Sequence, residues 1–181
     1  TFAQNNSTME NPFYITGIIP EEYFCDRDKE TRWIIRTLQN KAHILLTSPR
    51  RMGKTQLIRH VFEQPSVKDN YYTFYTDIYA TTSLHELVLF LSKEIYSQLV
   101  PKGQVALDRF LSGLQSLTGS LGYDPITGKP TFDIKLGDIH TPELTLQEIF
   151  GYLENADKPC IFAIDEFQQI ANYPEKNVEA L

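Results

Sequence analysis

The sequence predicts an α/β domain built on a parallel sheet with helices on both faces. Short apolar runs that suit buried strands alternate along the chain with segments whose apolar residues recur at helical spacing. This alternation is typical of parallel strands that are joined by right-handed helical crossovers. The chain has 181 residues, of which 41% are hydrophobic, and this is enough for one core of ordinary size.

The first third of the chain is expected to hold an arm, a helix, a strand and a second helix. Residues 1–20 are polar and are punctuated by Pro and Gly, so we interpret them as an extended N-terminal arm. The pattern over residues 26–40 predicts a helix. Residues 43–47 are a short apolar run that suits a strand buried on both faces. A second helix is expected after residue 55 and ends before Pro65.

The remainder of the chain is expected to supply two further strands, three helices and a hairpin. The aromatic and Thr-rich residues 71–79 predict a strand, and the apolar run 160–166 predicts another. Helices are expected to begin at residues 83, 105 and 141. Residues 119–138 contain a turn and an alternating pattern, which indicates a β-hairpin inserted between helices. The domain over residues 21–181 is therefore expected to carry a helical and hairpin insertion at about 101–140.

A loop with one glycine follows the first apolar run. Residues 48–55 read Ser-Pro-Arg-Arg-Met-Gly-Lys-Thr and nearly match G-x-x-x-x-G-K-S/T, the pattern of a loop that surrounds a phosphate ahead of a helix. Gly53 permits close backbone approach, Lys54 would bring its charge to the β- and γ-phosphates, and Thr55 offers a hydroxyl to Mg²⁺. Ser48 replaces the first glycine of the pattern and is less permissive if that position needs a positive φ.

Two adjacent carboxylates follow the last apolar run. Asp165 and Glu166 stand at the carboxyl end of the predicted strand, which is the edge of a parallel sheet where ligands bind. Asp165 is expected to hold Mg²⁺, directly or through water, and Glu166 to polarise the water that attacks the γ-phosphate. Acidic residues also cap helices after strands. The order of the two motifs, each after an apolar run, nevertheless favours a site for nucleotide hydrolysis.

Together the two motifs resemble those of a known group of proteins. Residues 48–55 and residues 164–168 (Ile-Asp-Glu-Phe-Gln) are similar to the Walker A and Walker B motifs of the archaeal-type ATPase family, in the STAND branch of AAA-like P-loop ATPases. Residues 23–30, the upstream segment, resemble the F-x-G-R-x-x-E segment of such proteins, with Asp26 where glycine is usual. The resemblance covers most of residues 12–181. It implies a three-layer P-loop fold, ATP and Mg²⁺ as ligands, and an upstream segment close to the adenine.

The candidate site therefore has three groups of residues. The catalytic candidates are Glu166 and Lys54. The metal-ligand candidates are Thr55 and Asp165. The nucleotide-binding candidates are Pro49, Arg50, Arg51, Met52, Gly53, Lys54, Thr55 and Gln56.

Other residues near these motifs have two interpretations each. Phe24 and Arg27 of the upstream segment either contact the nucleotide or pack the first helix. Asp77 ends the second predicted strand and either positions water or Mg²⁺ or caps the next helix region. Gln168 either senses the γ-phosphate or lies on a polar surface. Tyr75 belongs to an aromatic cluster that strand alternation explains more simply than base stacking.

The resemblance also implies a strand that the last segment does not supply. In this class a strand with a polar sensor residue lies between the Walker A and Walker B strands and follows Walker B in sequence. Fifteen residues follow Glu166, and they contain no apolar run. Because a gap would expose two strand edges, we expect that the chain is a fragment or the ordered portion of a longer protein, or that another segment fills the gap.

Composition narrows the class of protein. The net charge of −6 argues against a broadly basic surface, although a local basic groove for nucleic acid stays open. Two cysteines are too few for a disulfide framework. No apolar run approaches the ~20 residues of a membrane helix, so we expect a cytoplasmic protein that does not act at a membrane.

These observations lead to one functional hypothesis and two alternatives. The hypothesis is a regulatory ATPase that acts as a nucleotide switch, with a missing C-terminal domain or an effector protein as its partner and homo-oligomerisation left open. The first alternative is a P-loop motor that acts on nucleic acid. The second is a nucleotide-binding interaction module without turnover.

Overall fold

The structure is a computed structural model that falls into two compact units, Thr1–Gln64 and Pro65–Leu181. It describes residues 24, 26–49, 51–99, 104–116, 120–123, 130–133 and 139–175. The predicted arm over residues 1–20 lies outside the described residues. Each unit is taken by itself below.

The first unit contains two helices, as the sequence predicts. Helix α1 spans Asp28–Gln39 and helix α2 spans Lys54–Glu63. Ile34 of α1 is buried, as are Leu57 and Val61 of α2. Apolar side chains at helical spacing give each helix one apolar stripe, and the two helices contact each other.

Residues 43–47 do not form the predicted buried strand. Their backbone belongs to no strand, and Leu45 is 80% exposed. A strand is held by the hydrogen bonds of its ladder, and no strand in the described part of the chain pairs with this segment. The prediction is therefore wrong for this structure, because an apolar run becomes a strand only where a partner completes the ladder.

The second unit contains the remaining elements. They are α3 (Pro65–Lys68), β1 (Tyr72–Asp77), α4 (Leu84–Leu99), α5 (Gln104–Gly113), β2 (Ser120–Tyr123), β3 (Pro130–Asp133), α6 (Pro142–Glu154), β4 (Cys160–Asp165) and a 3₁₀ helix (Phe167–Asn172). Strands β2 and β3 pair antiparallel, so the inserted hairpin is confirmed, while its predicted turn lies outside the described residues.

The parallel sheet of this unit has two strands. β1 pairs with β4 in a register that runs from Tyr72 opposite Cys160 to Asp77 opposite Asp165. Burial alternates along β1, where every second residue is fully buried and those between are half-buried or exposed. One face of β1 is therefore covered more completely than the other, whereas the buried residue of β4, Ile161, lies on the opposite face, paired with Thr73.

The covered face of β1 packs against the helices of this unit, and together they form its hydrophobic core. α4 packs on β1 and α6, and α5 packs on α4 and α6. The largest fully buried side chains include Phe74 of β1, Phe110 of α5 and Ile149 of α6. The start of α4 is fixed by its predicted capping residues, because Ser83 Oγ accepts from Glu86 N at 3.3 Å and Glu86 Oε2 accepts from Thr82 N at 2.5 Å. This core supports the strand ends that carry the carboxylates.

Candidate functional site

The glycine-containing loop of the first unit ends at the start of α2. Lys54 is the first residue of the ten-residue helix, and its Nζ donates to the carbonyl oxygen of Ser48 at 3.1 Å. The lysine side chain therefore folds back over the loop that precedes its own helix. A cation held over a loop at a helix N-terminus is the arrangement that favours binding of an anion.

The predicted nucleotide-binding residues differ in exposure. Pro49, Arg51, Met52 and Gly53 are exposed, and Lys54, Thr55 and Gln56 are half-buried at the start of α2. Arg50 lies outside the described residues. The exposed residues form the loop and the half-buried ones its base, so the loop backbone is accessible to a ligand while Lys54 and Thr55 are held by the helix.

Ser48 fits the loop without strain. The described non-glycine residues with positive φ are Asp26, Lys41, Arg51 and Glu166. Ser48 is not among them, so the position of the first glycine of the pattern does not need the left-handed region here. The substitution of serine at this position is therefore no obstacle to the loop conformation.

The upstream segment lies against this loop. Arg27 Nη1 donates to the carbonyl oxygen of Met52 at 2.8 Å, and Phe24 stacks on the His60 ring of α2 with centroids 4.1 Å apart. Asp26 has φ 67°, which explains why glycine is usual at this position in the proteins that the segment resembles. Phe24 and Arg27 therefore pack against α2 and the loop rather than only against the first helix, and contact of either with a nucleotide stays a prediction. Sequence reasoning gave His60 no specific role.

Gly53 has a left-handed backbone, with φ 71°. A Cβ at this position would lie 3.7 Å from Arg27 Nη1, an ordinary contact. We therefore expect Gly53→Ala to destabilise the first unit by about 1–2 kcal/mol through its backbone conformation alone. Trp33, the one tryptophan of the chain, lies in α1, so its fluorescence during urea unfolding reports on this unit.

A matched glycine supplies the control for that measurement. Gly151 lies within α6, and a Cβ there would have no atom within 4 Å. Gly151→Ala should stabilise the helix by about 0.5–1 kcal/mol, read from helical circular dichroism during unfolding. Destabilisation of equal size by both substitutions would contradict the conformational explanation for Gly53.

The second unit places two carboxylates opposite each other at the end of its parallel sheet. Asp77 ends β1 and Asp165 ends β4, and the register pairs them directly. Asp77 Oδ1 accepts from Tyr79 N at 2.8 Å. Asp77 thus caps the turn that follows its own strand, whereas the start of α4, which it was expected to cap, is capped by Ser83 and Glu86.

Both oxygens of Asp165 accept hydrogen bonds. Oδ1 accepts from the backbone N–H of Glu166 at 3.0 Å, and Oδ2 accepts from the Tyr75 hydroxyl at 2.6 Å. The side chain is half-buried at the strand end. Sequence reasoning placed Asp165 at this edge correctly, but it assigned Tyr75 only a place in strand alternation. The signal for Tyr75 is its position two residues before Asp77, which puts it on the same face of the strand.

Glu166 is held in an unusual backbone conformation. Its φ of 56° places it in the left-handed region, which costs a non-glycine residue of order 1–3 kcal/mol and persists only where the surroundings enforce it. Gln168 Nε2 donates to Glu166 Oε2 at 2.5 Å. Gln168 is exposed. The hydrogen bond of its side chain goes to Glu166, the candidate base.

The 3₁₀ helix after Glu166 holds Glu166 in its left-handed backbone conformation. Ile170 and Tyr173 are buried, and the Tyr173 hydroxyl is hydrogen-bonded to the Thr81 hydroxyl. Gln169 Nε2 also donates to the Thr81 carbonyl at 3.0 Å. These contacts fasten the segment after β4 to the segment after β1, and they fix the direction in which the chain leaves Asp165.

Residues 24–181 match a family described as an ATPase domain predominantly from Archaea. The chain belongs to this family. No curated protein and no solved structure matches the chain. The ATPase family implies ATP as the ligand of the site, and it confirms the resemblance on which the Walker A and Walker B assignments depend.

Each unit carries an oxygen donor of the kind that Mg²⁺ prefers together with phosphate and water. Thr55 of the first unit has a hydroxyl, and Asp165 of the second unit has a carboxylate that two hydrogen-bond donors orient. The described residues contain no group of three or more His, Cys, Asp or Glu side chains that could hold a metal ion. A site that shares its cation with nucleotide phosphates does not require such a group.

The search for membrane-spanning helices had a negative result. Among the residues that the structure describes, no helix combines the length and the apolar character needed to cross a bilayer.

Proposed function

We propose that the chain is the nucleotide-binding domain of a Mg²⁺-dependent P-loop ATPase that acts as a switch. The observation that carries this proposal is the placement of Lys54, whose Nζ lies on the Ser48 carbonyl across the loop at the N-terminus of α2. A loop of this kind, closed by the lysine side chain, binds a phosphate because the helix N-terminus and the lysine charge both attract an anion. The family match supports ATP as the source of that phosphate.

Each residue then has a defined part in binding and hydrolysis. The loop backbone around Gly53 receives the phosphates, and Lys54 exchanges its bond to Ser48 for the phosphate oxygens. Thr55 and Asp165 would hold Mg²⁺, which would supply neutralisation of the phosphate charge. Glu166 accepts a proton from the water that attacks the γ-phosphate.

The contact between Gln168 and Glu166 gives the candidate base a partner other than water. In this structure the carboxylate of Glu166 accepts from Gln168 Nε2 at 2.5 Å. An oxygen that accepts from this amide has one acceptor position fewer for the attacking water. We expect that Glu166 turns from Gln168 to water once the nucleotide site is filled.

The three-layer P-loop sheet remains part of the proposal. Residues 43–47 are apolar and unpaired among the described residues, and Leu45 is exposed. Exposed apolar strand edges are avoided in folded proteins. We therefore expect a further strand, from elsewhere in the protein or from a partner, to pair with this segment and complete the sheet.

The decisive experiment measures ATP binding and hydrolysis by the full-length protein with Mg²⁺ and with EDTA. The proposal expects ATP binding that Mg²⁺ strengthens, together with slow turnover. Stimulation of turnover by added DNA or RNA would favour the motor alternative instead. Tight binding without turnover would favour the interaction module, and absence of ATP binding under both conditions would contradict all three.

A further inference from the structure

Tyr75 and Asp165 project from the same face of the two-stranded sheet. Tyr75 is paired with Ala163 across β1 and β4, and Asp165 follows Ala163 by two residues. Side chains two positions apart on a strand point to the same face. A phenol therefore reaches diagonally past the small side chain of Ala163 to the carboxylate at the strand end.

The contact that results is short and charge-assisted. The Tyr75 hydroxyl donates to Asp165 Oδ2 at 2.6 Å, while Oδ1 accepts from Glu166 N at 3.0 Å. Hydrogen bonds from a hydroxyl to a carboxylate in this range are about twice as strong as neutral ones. Donors on both oxygens hold the plane of the carboxylate.

We propose that Tyr75 is a positioning residue that orients the Asp165 carboxylate toward the cation of the ATP site. This inference rests on the proposed function, since it presumes that Asp165 holds Mg²⁺. A hydrogen bond that orients a metal ligand fixes one ligand geometry before the cation arrives, and its removal typically weakens metal binding. Each carboxylate oxygen has two acceptor positions, so the bond from Tyr75 is compatible with a bond to a cation or to its water.

The same strand contains a matched control for this contact. Tyr72 begins β1, and its hydroxyl donates to both oxygens of Asp157 at 3.0 and 3.2 Å. Burial and this hydrogen bond raise the pKa of Tyr72, so it remains a donor at neutral pH. Tyr72→Phe thus removes a phenol–carboxylate bond of the same kind from the opposite end of β1, away from Asp165.

The test compares Tyr75→Phe, Tyr72→Phe and the wild type as full-length proteins. The affinity of a non-hydrolysable ATP analogue is measured by calorimetric titration in Mg²⁺ and in EDTA, and the ratio of the two affinities gives the contribution of the cation. Tyr75→Phe should lower this ratio by about tenfold and leave the affinity in EDTA unchanged. Tyr72→Phe should leave the ratio unchanged, whatever its effect on the melting temperature.

The outcomes separate this inference from the function beneath it. If Mg²⁺ strengthens binding equally in the wild type and in Tyr75→Phe, the positioning role of Tyr75 is wrong and the ATPase proposal stands. If both tyrosine variants lower the ratio equally, the effect comes from loss of sheet stability, and the inference is again overturned. If Mg²⁺ does not strengthen binding in the wild type, the proposed metal role of Asp165 is wrong, and the positioning role of Tyr75 is wrong with it.

Discussion

Glu166→Gln is expected to lower kcat for ATP hydrolysis by roughly 100- to 10,000-fold, which is the usual contribution of a general base. ATP affinity should stay unchanged, because glutamine keeps the size and the polarity of the side chain and loses only the proton acceptor. Steady-state phosphate release and analogue binding measured on the same samples separate these two effects. The variant should therefore accumulate in the ATP-bound form.

The backbone at Glu166 makes this substitution a clean probe. Glutamine can occupy the left-handed conformation with φ 56° at a cost similar to that of glutamate. The 3₁₀ helix that enforces the conformation is held by the Thr81 and Tyr173 hydroxyls, which the substitution does not touch. The melting temperature should consequently remain that of the wild type.

An exposed glutamate provides the control for that variant. Glu154 is the last residue of α6 and is exposed, so Glu154→Gln changes the charge of the same unit by the same amount. It should leave kcat at the wild-type value. Equal loss of turnover in both variants would point to net charge, and full turnover in Glu166→Gln would remove Glu166 from the mechanism.

The features that the sequence predicts well depend on neighbouring residues. Helix α4 begins where Ser83 and Glu86 indicate, because a cap and the helix that follows it are local. Lys54 starts α2, and Asp165 ends β4, as their motifs predict. In each case the residues that indicate the helix or strand lie next to the residue that the helix or strand positions.

The features that the sequence does not predict depend on residues far apart in the chain. Residues 43–47 have the composition of a strand, but pairing is decided by a partner that local sequence cannot name. The contact between Tyr75 and Asp165 joins residues 90 positions apart, and it exists only because the register sets Asp77 opposite Asp165. A shift of one residue would move Tyr75 to the other face.

Lys54→Ala is expected to lower ATP affinity by roughly 30- to 1,000-fold, since removing one member of a hydrogen-bonded charge pair costs about 2–4 kcal/mol. The estimate is a difference of two states. Lys54 donates to the Ser48 carbonyl at 3.1 Å, so binding would exchange a neutral acceptor for a charged phosphate oxygen. The bond to Ser48 therefore offsets part of the gain in affinity, because a bond to a neutral acceptor contributes only about 1 kcal/mol.

That exchange also separates a binding role of Lys54 from a structural one. Loss of the bond to Ser48 should cost only about 1 kcal/mol of stability, as for a typical neutral acceptor, so the melting temperature falls slightly while affinity falls by orders of magnitude. Lys29→Ala, which removes an exposed charge from α1 of the same unit, should change neither quantity. If Lys54→Ala unfolds the first unit, its lysine serves the loop and not the ligand. Unchanged ATP affinity in a folded Lys54→Ala protein would show that Lys54 does not bind the phosphate.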